Sequence, residues 1–330
     1  MLIYIKYIFF IFLYFLYLKM EDLYKKYLIE PEEFIKIISK PIEEIKNIRI
    51  IEGTNFPPLS PRNKLNEFKE KRIPYSQFFD MDIIAEIPHL VPHMMPSNSV
   101  FIDHMKKLDI RLSDQIIIYD RSGMFSAPRV WLMFYWFGHR NIQILNGSMF
   151  QYEKLGGKIE QGDDYGYKKI SREKPNEDDF NYVKDETKIV NLEFIIKNSF
   201  EPNLSKKYYF IDARSEERFN GTAPEPREGI RRGHINGAKC IFFQWLITDE
   251  YKYKSIEELK KLFEEKGIDI DNDEDKTYIC SCGTGLTACI VIFGLTLLGK
   301  YDKCKLYDAS WTEYGSYTPE QIEEMKNKLI

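Results

Sequence analysis

The chain has 330 residues, 44% apolar and 30% charged, with a net charge of −4 at pH 7. That length suits two ordinary domains, each with its own core, and the slight acidity excludes the basic footprint that direct nucleic-acid binding requires. The five cysteines (Cys240, Cys280, Cys282, Cys289, Cys304) all fall in the C-terminal third. An odd number crowded around one stretch is not a disulfide framework and points to a reducing compartment, the cytoplasm in the simplest case.

The first nineteen residues differ in kind. From Leu2 to Leu18 the chain is aromatic and aliphatic, broken only by Lys6. As a membrane anchor this is at the short end of the usual ~17–25 residues and carries a charge. As a signal peptide it lacks a small-residue cleavage site, and as a mitochondrial presequence it lacks arginine and serine. The remaining reading is a start at Met20. Residues 1–19 are therefore set apart as an extension, with membrane contact expected only if they are retained.

A first α/β domain is expected over residues 20–162. Tyr27-Leu28-Ile29 reads as a short strand, and Glu30-Pro31-Glu32-Glu33-Phe34 as a helix start with acidic residues in its first turn. Ile48–Ile51 is the next strand, followed by a loop rich in proline (Pro57, Pro58, Pro61) and a polar stretch from Arg62 to Lys71. The apolar run Gln115–Asp120 is a buried strand. The loop Arg121–Ser126, an apolar helix from Ala127 to Phe137 and a strand over Ile142–Leu145 complete the unit. Residues 163–188 are polar, with the acidic cluster Glu177-Asp178-Asp179, and read as a linker over the surface.

Residues 189–330 repeat the order. Tyr208–Asp212 is a strand, Gly233–Ala238 leads into Ile241-Phe242-Phe243, and Thr277–Cys280 is a strand that stops at a loop of small residues. An apolar helix follows from Leu286 to Gly299, then the run Lys305–Trp311. The interval from Ile73 to Ala127 nearly equals that from Ile235 to Ala288, and each alanine opens a helix that closes on a glycine, Gly138 or Gly299. One α/β unit is written twice.

The loop Cys282-Gly283-Thr284-Gly285-Leu286-Thr287-Ala288 carries the chemistry. Its two glycines let the backbone curl so that N–H groups point inward, and the helix N-terminus adds partial positive charge there. Both favour thiolate over thiol, so Cys282 reads as a nucleophile. The first copy has Asp120-Arg121 at the same bend and no cysteine anywhere, so it is expected to be catalytically silent and to supply a wall of the cleft. In the second copy three arginines follow the Tyr208–Asp212 strand. Arginine forks bind carboxylates bidentately, so Arg218 and Arg227 read either as holders of an α-keto acid or as members of ordinary surface salt bridges.

The cysteine loop resembles that of the rhodanese superfamily, in the form typical of 3-mercaptopyruvate sulfurtransferases, and the resemblance runs from about Leu23 to Tyr314. It implies two tandem domains, each a central parallel sheet flanked by helices, with only the second reactive. The stretch Arg218-Phe219-Asn220-Gly221-Thr222-Ala223-Pro224-Glu225-Pro226-Arg227 matches a run whose first and last arginines bind substrate in that family. Asp82, His93 and the hydroxyl of Thr284 match residues thought to assist catalysis there. The resemblance implies sulfur transfer from 3-mercaptopyruvate through a Cys282 persulfide, with N–H groups of Gly283, Gly285, Leu286 and Thr287 around the sulfur. It implies a small-molecule donor, a thiol acceptor such as thioredoxin or glutathione, and no cofactor. Thiosulfate sulfurtransferases usually carry Arg and Lys after the cysteine, where Gly283 and Thr284 are neutral here. A relay to a ubiquitin-like carrier for tRNA thiolation stays open. Related phosphatases need an arginine six places after the cysteine, and Ala288 stands there. Cys280 and Cys289 read as packing residues, with redox partnership as the alternative. No metal-ligand spacing is apparent. Two departures are Asn236 where relatives often have Pro, and Ala309 where the motif usually has Gly, which affects a turn.

Overall fold

The computed structural model describes residues 17–87, 91–163, 172–200 and 207–329. It contains two sheets of five parallel strands. The first comprises β1 (Leu28–Ile29), β2 (Ile48–Glu52), β3 (Gln77–Phe78), β4 (Gln115–Tyr119) and β5 (Ile142–Leu145). The second comprises β6 (Ile189–Val190), β7 (Tyr208–Asp212), β8 (Lys239–Cys240), β9 (Thr277–Ser281) and β10 (Cys304–Tyr307). Their spatial orders, β1-β5-β4-β2-β3 and β6-β10-β9-β7-β8, are the same permutation, so the duplication read from spacing is a duplication of topology. In each sheet the third strand of the order, β4 or β9, lies where the connections reverse direction. The carboxyl end of such a strand is where open α/β sheets bind ligands.

Strands such as Ile116-Ile117-Ile118 are apolar on both faces because helices cover both faces of a parallel sheet. Two helices go further. Every residue of Ala127–Trp136 and of Ala288–Leu297 is buried, and the two meet through the edge-to-face pair Trp131–Phe293, ring centroids 4.9 Å apart. A helix that is apolar all round must be enclosed on all sides, and each encloses the other. The main apolar cluster consequently runs through both halves, with smaller clusters on the outer faces of the two sheets. Beside the smaller cluster of each half, the two halves therefore share one main core, which the expectation of separate cores did not include.

The stretch between the halves is more than a surface linker. Phe180 and Tyr182 are buried, Tyr182 against Phe101 with centroids 5.2 Å apart, and Arg172 reaches Asp114 at 2.6 Å. At the other end of the chain, residues 17–27 form a helix continuous across Met20, which is itself buried. Residues 1–16, and with them most of the N-terminal extension, lie outside the described residues. Among the described residues no helix is long and apolar enough to cross a membrane.

Candidate active site

Cys282 is the residue that follows β9, and it is 2% exposed. Its loop is held from below by the turn after β10. Cys282 N–H donates to Ser310 Oγ at 3.0 Å, Trp311 N–H donates to Cys282 O at 3.0 Å, and Thr312 N–H to Gly283 O at 2.9 Å. Gly285 has φ +76°, and a Cβ there would lie 2.5 Å from the Asp308 carbonyl oxygen, so both the conformation and the space require glycine. With the backbone pinned this way, the N–H groups of Gly283 through Ala288 have no acceptor among the described residues. The helix itself begins at Ala288, as the repeat places it, rather than at Leu286 where the apolar run starts, because Leu286 and Thr287 complete the loop.

The first half shows what such a loop holds. Asp120 follows β4 as Cys282 follows β9, and its carboxylate accepts the N–H groups of Ser122 (3.2 Å), Met124 (3.0 Å), Ser126 (2.9 Å) and Ala127 (2.9 Å). Ser148 Oγ donates to the same carboxylate at 2.9 Å. Ser148 and Ser310 occupy the same corner with φ of +62° and +54°, an uncommon region that both copies retain. Ahead of them Gly147 takes φ +95° whereas Ala309 takes −69°, so the two halves turn differently there, while the serine keeps its place. Arg121 is consumed by a buried pair with Glu52 at 2.5 Å and is not available to a substrate.

A cavity of about 510 Å³ opens over Cys282, and both halves line it. From the second half come Arg218, Arg227, Gly283, Thr284, Leu286 and Thr287, with Phe242 and Phe243 forming an aromatic side. The two arginines are held differently. Arg218 forks onto Glu225 (Nη2–Oε2 2.5 Å, Nε–Oε1 3.2 Å), which also takes Arg214 at 2.7 Å. A Cβ on Gly283 would stand 3.2 Å from Arg218 Nη2, so the missing side chain makes room for that guanidinium beside the cysteine. Arg227 has no ion-pair or hydrogen-bond partner among the described residues. Burial and the adjacent Arg218 charge push its guanidinium below the usual value, while proximity to Cys282 and Glu225 acts the other way. A half-buried cation that no side chain pairs directly is costly unless an anion joins it.

From the first half come His93, Asn55, Phe56, Pro57, Pro92 and Phe125. His93 has φ +64° and its Nδ1 lies 2.5 Å from Asp82 Oδ1, an ion-pair contact off the line of an N–H hydrogen bond. Asp82 also pairs with Lys64, whose ammonium reaches Asp80 at 2.6 Å. Partial burial raises the Asp82 pKa, but His93 and Lys64 outweigh it and hold the carboxyl well below the usual range. Asn55 Nδ2 stands 3.5 Å from His93 Nε2. Thr284 and His93 face the same cavity, and no hydrogen bond joins them; Asp82 sits behind His93, outside the lining. Gly285 likewise is turned from the cavity towards Asp308.

Sequence reasoning missed Glu225, Lys64, Asn55 and Ser310. Ser310 was accessible from the repeat, since Asn146-Gly147-Ser148 and Asp308-Ala309-Ser310 are paired segments. The other three act through folded contacts that no local pattern encodes. Among the described residues no three His, Cys, Asp or Glu side chains converge as a metal site would require. The five cysteines are free thiols, with Cys280, Cys289 and Cys304 buried. Burial pushes the Cys289 thiol up to about 12 and the Cys280 thiol well above its ordinary value, which suits packing rather than nucleophilic chemistry.

Comparison with known proteins agrees with this architecture. A model of the Rhodanese-like domain matches residues 62–155 and 197–317. "Thiosulfate/3-mercaptopyruvate sulfurtransferase 1, mitochondrial" of Arabidopsis thaliana is 36% identical over 293 residues, covering 85% of this chain and 75% of its own. The mouse 3-mercaptopyruvate sulfurtransferase is 36% identical over 278 residues, covering 83% of this chain and 88% of its own. The crystal structure of Tum1 protein from Saccharomyces cerevisiae superposes with a TM-score of 0.75 at 30% identity, covering 89% of this chain and 97% of that one. With two matched domains, one topology repeated and relatives of this similarity over most of the chain, the protein belongs to the rhodanese family as a tandem-domain member.

Proposed function

We propose that this protein is a 3-mercaptopyruvate sulfurtransferase with Cys282 as sulfur carrier. The observation that carries the reading is Arg227, a guanidinium with no ion-pair or hydrogen-bond partner among the described residues, beside a neutral cysteine loop. A site with a donor-facing guanidinium and no second cation in the loop suits a monocarboxylate carrying a keto group. Arg227 and the free edge of Arg218 would hold that carboxylate and keto oxygen. The names of the relatives, which include both 3-mercaptopyruvate and thiosulfate, support the reaction class.

In the reaction the Cys282 thiolate forms an S–S bond to the donor sulfur as the donor's C3–S bond breaks. The bonding pair leaves on carbon as the enolate of pyruvate, stabilised by the two arginines, and a proton is added at C3. His93, oriented by Asp82, and the Thr284 hydroxyl are the groups placed to manage protons in the cavity. The N–H groups of Gly283 to Thr287 face the persulfide as those of the first half face the Asp120 carboxylate. An acceptor thiolate then attacks the outer sulfur, restoring the Cys282 thiolate and leaving with a persulfide. A second thiol releases this as hydrogen sulfide and a disulfide. Thioredoxin, glutathione or a ubiquitin-like carrier would each supply a nucleophile of the right kind. Five free cysteines suit a reducing compartment, cytosolic or, as for the Arabidopsis relative, mitochondrial.

The test compares donors. Pyruvate release from 3-mercaptopyruvate with a thiol, and thiocyanate formation from thiosulfate with cyanide, are measured for the native chain and for Cys282→Ser. Preference for 3-mercaptopyruvate with loss of both activities in the variant supports the reading. A clear preference for thiosulfate would reject the argument from the neutral loop.

A further inference from the structure

Arg129 opens the buried helix of the first half, and Asp308 follows β10 of the second. Their side chains are 0% and 2% exposed and meet at 2.6 Å. Neither is part of the proposed chemistry. Their remaining contacts converge on one turn of the cavity wall. Arg129 Nη2 donates to the carbonyl of His93 at 2.5 Å, and Asp308 Oδ2 accepts the N–H of Met95 at 2.6 Å. The pair thus grips the His93–Met95 turn from both ends. Arg129 Nη1 also lies 3.8 Å from Cys289 Sγ, and Asp308 packs against Gly285, so the same pair abuts the cysteine loop.

Two further observations separate this from generic docking of the halves. His93 holds φ +64°, a conformation that persists only where surroundings over-determine it. At the equivalent corner of the first half the residue is Asn146, whose Oδ1 accepts the N–H of Tyr253 from the second half at 3.0 Å. The reciprocal cross-domain contact is therefore made there by an uncharged side chain. The charge at Asp308 serves Arg129.

We infer that Arg129 and Asp308 are positioning residues that clasp the His93–Met95 turn and so set the His93 imidazole relative to the Cys282 loop. The inference rests on the assignment of His93 to the reaction. A group acting through another must lose its effect once that other is gone, which a double-mutant cycle measures.

The full chain is assayed with 3-mercaptopyruvate and a thiol as Arg129→Met, His93→Ala and the double variant, with thermal midpoints recorded to confirm folding. Arg129→Met is expected to lower kcat roughly 10–100-fold by misplacing the imidazole. KM should change less than about threefold, and in the His93→Ala background the same substitution should cost less than about threefold more. Where Arg129→Met does not fold, Arg129→Lys keeps the charge opposite Asp308 without the fork and carries the same cycle. Native kcat in a folded Arg129 variant, or losses that multiply with His93→Ala, would overturn the clasp. Native activity in His93→Ala alone would instead withdraw the role given to His93.

Discussion

Asp120 and Cys282 occupy the same position in the two halves, each the first residue after the central strand of its sheet. One is a carboxylate already collecting four backbone N–H groups. The other is a cysteine followed by loop N–H groups that no described residue accepts. The first half is thus closed by an internal anion, and under the proposed function the second keeps the equivalent place for sulfur. Asp120→Ala leaves several buried donors without an acceptor, a loss of about 3 kcal/mol. The denaturant midpoint is expected to fall accordingly, and an unchanged midpoint would show that the carboxylate is not structural.

Arg227 offers the opposite signature. Removing an unpaired cation from a half-buried place relieves a desolvation cost, so Arg227→Met is expected to keep or raise the thermal midpoint. The same change should lower kcat/KM for 3-mercaptopyruvate by roughly 10²–10³-fold, the usual cost of one well-placed donor to developing charge. A variant that is less stable yet fully active would place Arg227 in the framework instead.

The Asp82 carboxyl is held low in the folded chain by His93 and Lys64, against the opposing effect of burial. A carboxyl depressed on folding binds its proton more readily in the unfolded chain. Its stabilising contribution is therefore complete above about pH 4 and is lost as pH falls through the folded value. Asp82→Asn removes that dependence. Thermal midpoints of the native chain and the variant should converge as pH is lowered from about 5 towards about 2. Parallel curves across that window would contradict the ion pair.

Much of this was legible before the fold. The buried strands and the two enclosed helices follow from long apolar runs ended by glycine, and Cys282 from a cysteine set between a strand and a glycine-rich bend. The helix Ile256–Glu265 carries its own sign in the capping box Ser255/Glu258. What sequence does not encode is pairing at a distance. Glu225 holds Arg218 and Arg214 through contacts that exist only once the loop folds back on itself. Arg129 is a lone charge in an apolar helix, and its partner lies 179 positions away. The shared core was hidden for the same reason: an apolar run says that a helix is enclosed, not that the other copy encloses it.

The central claim is that sulfur passes through Cys282, and mass spectrometry of the protein after brief exposure to 3-mercaptopyruvate without a thiol acceptor tests it most directly. The account predicts a mass gain of one sulfur atom on the peptide containing Cys282, removed by dithiothreitol and absent in Cys282→Ser. Pyruvate released in full with no sulfur on that peptide, or the same gain on Cys240 or Cys289 instead, would contradict it.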